Sequence, residues 1–267
     1  MPIRQSSREP EKKASPDRRR AFAVVALALG VLFAVSRTER EGRYAIPGIS
    51  FGLAPFAPAP EGGTPATEAA ARVIAQIDDM QSRVRATRVR HETEIDEARG
   101  LYDFDASGMA GWVLSRAAPV AFAAMGRDRP VAEDFARAIH EAPADADTNG
   151  WRRLARADAL RPGDVIAWET PQDQRTEGLT GHVAIVVGMP VRVPGLDEAW
   201  SVEVADATSD FHQWDSRLLG LDFDGGFGRG TITLAVGEDG RPFAYGWQGP
   251  WSPLFRRNEI ELGRVTR

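Results

Sequence analysis

Apolar residues recur at helical spacing from Glu68 onward: Val73, Ile77, Met80 and Val84 are separated by polar and charged positions. That period predicts an amphipathic helix over 68–87, with its last full turn near Arg85. The expected role is packing on the following domain, since a coiled coil needs more heptads than this. Between Arg88 and Asp96 the period falls to two. Val89, His91, Thr93 and Ile95 alternate with Arg88, Arg90, Glu92 and Glu94, which predicts a strand. Gly100 then interrupts the chain. Asp105 or Ser107 can cap a helix over 105–116 whose apolar positions are Met109, Trp112 and Val113. Pro119 suits the first position of a second helix, reaching Met125. Val131, Phe135 and Ala138 predict a third, and 145–150 reads as a loop.

From Trp151 the signals are mostly those of strands. Arg161-Pro162-Gly163-Asp164 places proline and glycine at the two central positions of a type II turn. The turn leads into a strand over Val165–Trp168. Further strands are expected at His182–Val187 and Trp200–Ala207. Residues 208–230, with Gly225, Gly226, Gly228 and Gly230, read as a long irregular segment. Thr231–Val236 and Pro242–Trp247 flank the turn Glu238-Asp239-Gly240 as a hairpin. Ile260–Leu262 is expected to close an edge. Helices first and a mostly antiparallel sheet afterwards make an α+β domain over 88–267.

The N-terminal third adds a different element. Residues 1–20 carry seven basic side chains against three acidic, and Ala21–Val35 is an unbroken apolar run. A basic segment before such a run is the pattern of an export signal over 1–36. The run is short of the roughly 20 residues that span a bilayer. Left uncleaved, 21–35 would anchor the protein to a membrane; in either case the remainder is expected outside, in the periplasm, the cell envelope or the medium. Residues 37–67, with five prolines, read as a tether. A net charge of −5 gives no reason to expect nucleic acid as a partner. The chain has no cysteine, which excludes disulfides, thiolate metal sites and a cysteine nucleophile.

Three stretches then carry candidate chemistry: Tyr102-Asp-Phe-Asp-Ala-Ser-Gly-Met-Ala-Gly-Trp112, Leu160-Arg-Pro-Gly-Asp-Val-Ile-Ala-Trp168 and Gly181-His-Val-Ala-Ile-Val-Val-Gly188. In this order they resemble the motifs of the NlpC-type cell-wall cysteine peptidases, a papain-like superfamily, over roughly Val89 to the C-terminus. The resemblance implies a papain-like domain and a cleft for peptides or amides such as cell-wall muropeptides, with no cofactor or metal. It puts the nucleophile position on Ala106, the general base on His182 and the orienting residue on Asp206. Strand alternation sets Asp206 on the same face as Val202 and Val204; Glu203 faces away and His212 lies beyond the strand, so both rank lower. Asp206 serves equally well as a strand-end cap.

Tyr102, Asp105, Ser107 and His91 flank the implied cleft as candidate substrate-binding residues. Each also has an ordinary role: packing for Tyr102, capping for Asp105 and Ser107, a structural histidine for His91. Trp112 and Trp168 read as core. A methyl group cannot attack a carbonyl, so Ala106 predicts no acyl-enzyme and no hydrolysis. Ser107 is no substitute, because the next residue on a helix points about 100° away. Ala106 is thus either a replaced cysteine or the mark of a lineage that lost its nucleophile. A non-catalytic module that binds a peptide or partner is the rival. A metal hydrolase using His91, Asp105, His182 and Asp206 has no supporting ligand spacing.

Overall fold

A computed structural model describes residues 62–175, 180–219, 225–247 and 255–267. The segment expected to be an export signal, and nearly all of the expected tether, lie outside them. In chain order come α1 (Glu68–Arg83), β1 (Ala86–Arg88), β2 (Glu94–Asp96), β3 (Leu101–Asp103), α2 (Ala106–Ala117), α3 (Pro119–Ala123) and α4 (Ala132–Glu141). There follow β4 (Trp151–Leu154), β5 (Val165–Glu169), β6 (Gly181–Val186), β7 (Val191–Arg192), β8 (Ala199–Thr208), β9 (Gly226–Val236), β10 (Pro242–Gly246), β11 (Arg256–Arg257) and β12 (Ile260–Val265). The α+β class holds. No helix among the described residues is long and apolar enough to cross a membrane.

Helix α1 begins where Thr67 caps it, its hydroxyl accepting from Ala70 N–H at 3.0 Å. The same hydroxyl donates to the Val265 carbonyl, which pins the helix start to β12. Val73, Ile77 and Met80, the predicted apolar stripe, are wholly buried. Burial on that scale contributes about 1.5–3 kcal/mol per side chain. The helix stops at Arg83, short of the expected 87, because Ala86 is already paired in β1.

The strand expected over 88–96 is two short ones. Strand β3 lies in the middle of a three-stranded sheet, with β1 parallel on one side and β2 antiparallel on the other. Residues 89–93 must therefore cross from one edge of β3 to the other, which a continuous strand cannot do.

The large sheet runs β11-β10-β9-β8-β6-β5-β12-β4, with β7 beside β8. Strand β12 sits between β5 and β4: Ile260 and Glu261 pair with β5 alone, as an edge would, but from Leu262 onward β4 covers the outer side. The segment 208–230 is less irregular than its glycines suggest. Strand β9 starts at Gly226 and pairs with the whole of β8, from Thr208↔Gly226 to Ala199↔Ala235. Glycine is a poor strand former on its own, but a ten-residue partner holds it here.

The sheet has two faces with separate cores. Val165, Ala167, Val183, Ile185, Ala205 and Ala207 meet the helices, together with Met109, Val113, Phe135 and Ile139. Ile166, Trp168, Ala184, Val186, Val202, Val204, Ile232 and Leu234 form the opposite face. On that face Trp168 of β5 stacks on Tyr245 of β10 at 4.1 Å, although three strands separate them in the sheet. The sheet therefore curls, with this second face inside the curl. The Arg-Pro-Gly-Asp turn forms as predicted. Gly163 has φ +89°, and Asp164 N–H donates to the Arg161 carbonyl. A Cβ on Gly163 would come within 2.5 Å of the Ala70 carbonyl oxygen, so glycine lets α1 sit on the turn. The Asp164 carboxylate accepts from Arg161 N–H and from Arg264 of β12 at 2.8–3.1 Å. Burial pushes its pKa up against the pull of Arg264. This motif is a clamp between turn and sheet.

Candidate functional site

His182, singled out by the resemblance, and Asp206, given its face by strand phase, come together. His182 Nε2 lies 2.8 Å from Asp206 Oδ2, with the carboxylate fully buried and the histidine 9% exposed. Strands β6 and β8 are paired only at Ile185↔Ala205 and Val186↔Val204. Beyond that point they part, and the two side chains bridge the opening. Gly181 enters β6 with φ +153°, and a Cβ there would lie 2.0 Å from the Trp168 carbonyl oxygen. Glycine is needed for the entry of the strand that carries His182.

The imidazole is walled by aromatic rings. Trp168, its partner on β5, lies 5.0 Å away, and Trp247 meets it edge-on at 4.8 Å. These rings belong to the inside of the curl. His182 is thus out of phase with Val183 and Ile185, which meet the helices.

Sequence reasoning ranked His212 low, and it is the third member of this group. Its Nε2 lies 2.9 Å from the same Oδ2 of Asp206, and its fully buried ring stacks on Trp247 at 4.7 Å. Behind it, Asp215 accepts from His212 N–H and from Arg217. Arg217 also donates to the carbonyls of Thr208 and Gly226. Burial opposes ionisation of Asp206. The electrostatic attraction of His212 and the bonds from both imidazoles prevail, holding its carboxyl well below the usual carboxylate range. Burial likewise works against the Arg217 charge, and its bond to Asp215 with the nearby carboxylates raises its pKa nonetheless. The one signal in the sequence for this bracket is Gly226-Phe-Gly228-Arg-Gly230. A Cβ on Gly228 would lie 2.7–2.9 Å from Arg217, and one on Gly230 would lie 2.6 Å from His212 Cβ. Bare strand positions leave room for both side chains.

The residues around the helix start form a second group. Ala106, 7% exposed, is the first residue of α2, and Asp105 is its cap. Asp105 Oδ1 accepts from Gly108 N–H at 2.7 Å and from Ser107 Oγ at 2.8 Å. Its Oδ2 is 3.4 Å from both His91 and Arg129, which are largely exposed. Ser107 therefore points into the cap, in keeping with a structural role. Tyr102 is wholly buried beside Trp112 and Phe104, so as a substrate contact it is displaced by its packing role. Its hydroxyl has no hydrogen-bond partner among the described residues, and burial pushes its pKa up. Trp168 is core, as expected, while Trp112 is only partly buried.

Helix α2 packs on both β6 and β8, the strands that carry His182 and Asp206. Among the described residues, no hydrogen bond or ion pair joins the two groups. His91 pairs with Asp105 and His182 with Asp206, so the four potential metal ligands divide into two pairs. No cluster among the described residues is placed to hold a metal ion. A shallow surface depression lined by Pro119, Val120, Ala123, Ala124 and Asn149 includes none of the candidate residues.

No family model matches the chain, and no solved structure matches it. It is similar to a protein described as uncharacterized protein R653 of Acanthamoeba polyphaga mimivirus, at 28% identity over 131 residues. The match covers 45% of this chain and 55% of the viral protein, so it spans about half the length of either.

Proposed function

We propose that the chain is an exported module of NlpC-like, papain-like fold that binds a peptide or amide, such as a cell-wall muropeptide, without hydrolysing it. The observation that carries this reading is the His182–Asp206 pair. The carboxylate takes Nε2 at 2.8 Å, which leaves Nδ1 as the ring nitrogen not committed to Asp206. Histidine in that state suits a general base, because its unperturbed pKa lies near neutrality. Helix α2, with Ala106 at its first turn, rests on the same two strands, on the face opposite the one that carries the pair. The positive end of a helix is where a thiolate would be favoured. A methyl group there removes covalent chemistry and leaves binding.

The reading requires Nδ1 of His182 to reach position 106 through the opening where β6 and β8 part. Ala106→Cys tests this directly. The expected thiol reacts with iodoacetamide near neutral pH, titrates below the ~8.5 of a free cysteine, and loses both properties when His182→Ala is added. A thiol that titrates as free cysteine and ignores His182→Ala would overturn the peptidase-derived reading. Muropeptide binding by the unaltered chain, measured by calorimetry, is expected without turnover.

A further inference from the structure

We infer that His212 is a positioning residue: it holds the Asp206 carboxylate on His182 against a competing guanidinium. Three observations combine. First, one oxygen of Asp206 receives both imidazoles, at 2.8 Å and 2.9 Å. An unprotonated nitrogen facing a carboxylate oxygen is repelled, so both rings carry their proton on Nε2. Second, the other oxygen, Oδ1, is buried without a hydrogen bond among the described residues, and Arg217 Nη2 stands 3.8 Å from it. Third, Arg217 cannot move away, because Asp215, the Thr208 carbonyl and the Gly226 carbonyl fix it.

Asp206 therefore lies between two attractions. Rotation about its Cβ–Cγ bond would carry a carboxylate oxygen toward Nη2 of Arg217 and exchange the imidazoles for a charge-assisted bond. Two Nε2–H donors on one oxygen hold it in place; one would not. His212 is itself immobile. It is stacked on Trp247, its backbone N–H is bound to Asp215 at 2.8 Å, and its Cβ passes over the bare Gly230. The alternating glycines of β9 thus set the tautomer of a histidine on another strand. The geometry stands without the peptidase-derived reading; only the chemical purpose of an oriented His182 rests on it.

The test is nitrogen-15 and proton NMR of the imidazole rings in the unaltered chain and in two variants. In the unaltered chain both histidines are expected as single Nε2–H tautomers, with protons protected from exchange. His212→Phe keeps the ring on Trp247 but removes the donor. His182 is then expected to lose its protected Nε2–H signal and to populate both tautomers. His212→Gln supplies a side-chain N–H in place of the lost one and should restore the signal. An unprotected or Nδ1-protonated His212 in the unaltered chain overturns the inference, whether or not the variants fold. So does a His182 spectrum unchanged by His212→Phe. Adding His212→Phe to Ala106→Cys separates the two claims. Loss of the His182 tautomer with an ordinary thiol throughout retains the positioning role and discards the peptidase-derived reading.

Discussion

The inside of the curled sheet and the N-terminus of α2 both place histidine beside aspartate, in very different surroundings. Around Asp206, two imidazoles, a guanidinium, a second carboxylate and the rings of Trp168 and Trp247 fix one another, with Asp206 and His212 wholly buried. Around Asp105, the cap is tight on the helix side but the exposed His91 and Arg129 reach it only at 3.4 Å. The difference is one of dielectric and alternatives. A buried charge has no water to fall back on, so each partner it loses costs heavily. An exposed pair exchanges one partner for hydration at little cost.

The largest expected effect is from Asp206→Ala. It leaves two buried imidazoles and Arg217 without their shared acceptor, and breaking a buried pair costs about 3–5 kcal/mol. Urea unfolding should show a loss of that order; a loss under ~1 kcal/mol would mean that the site is as soft as the surface. Gly230→Ala comes next, since its Cβ would lie 2.6 Å from His212 Cβ. Overpacking of this kind costs about 1–3 kcal/mol, read as a lowered midpoint with an unchanged denaturant slope.

Acid sharpens the contrast. The folded pKa of Asp206 is depressed, so its contribution is present above the ~3.9 of a free aspartate and is lost as pH falls through the folded value. The unfolded chain takes up that proton first, and stability falls with pH. Asp206→Asn should flatten this acid limb. Asp164 has the opposite sign: its folded pKa is raised, so its contribution is present at low pH and lost as pH rises through that value. Unfolding curves of Asp206→Asn and Asp164→Asn from neutral pH downward distinguish the two groups.

The smallest effects belong to the helix start. Asp105→Ala removes a cap and should cost about 1 kcal/mol. His91→Ala should change stability by under ~1 kcal/mol, as for exposed pairs generally, and thermal melts would register either. An equal loss from His91→Ala and Asp206→Ala would erase the distinction between the two regions.

Much of this was legible in the chain. The stripe Val73, Ile77, Met80 defines α1 through local spacing, and Pro162-Gly163 defines its turn through the φ values those residues favour. His182 stood out by its Gly-His-Val context, and Asp206 could be given a face because side chains alternate along strands. The loop residue His212 escaped that rule. No period connects it to Asp206, and the glycines of β9 read as irregularity.

The sequence by itself determined the order of helices and strands, the caps, and the absence of a sulfur nucleophile, because these depend on neighbours within a few residues. Tertiary structure decided what no local pattern contains. It broke the 88–96 strand around β3, put β12 inside the sheet, and curled the sheet until Trp168 met Tyr245. It also brought His212 and Arg217 to the two oxygens of one carboxylate. Those outcomes follow from which surfaces must be hidden together, and that is a property of the whole chain.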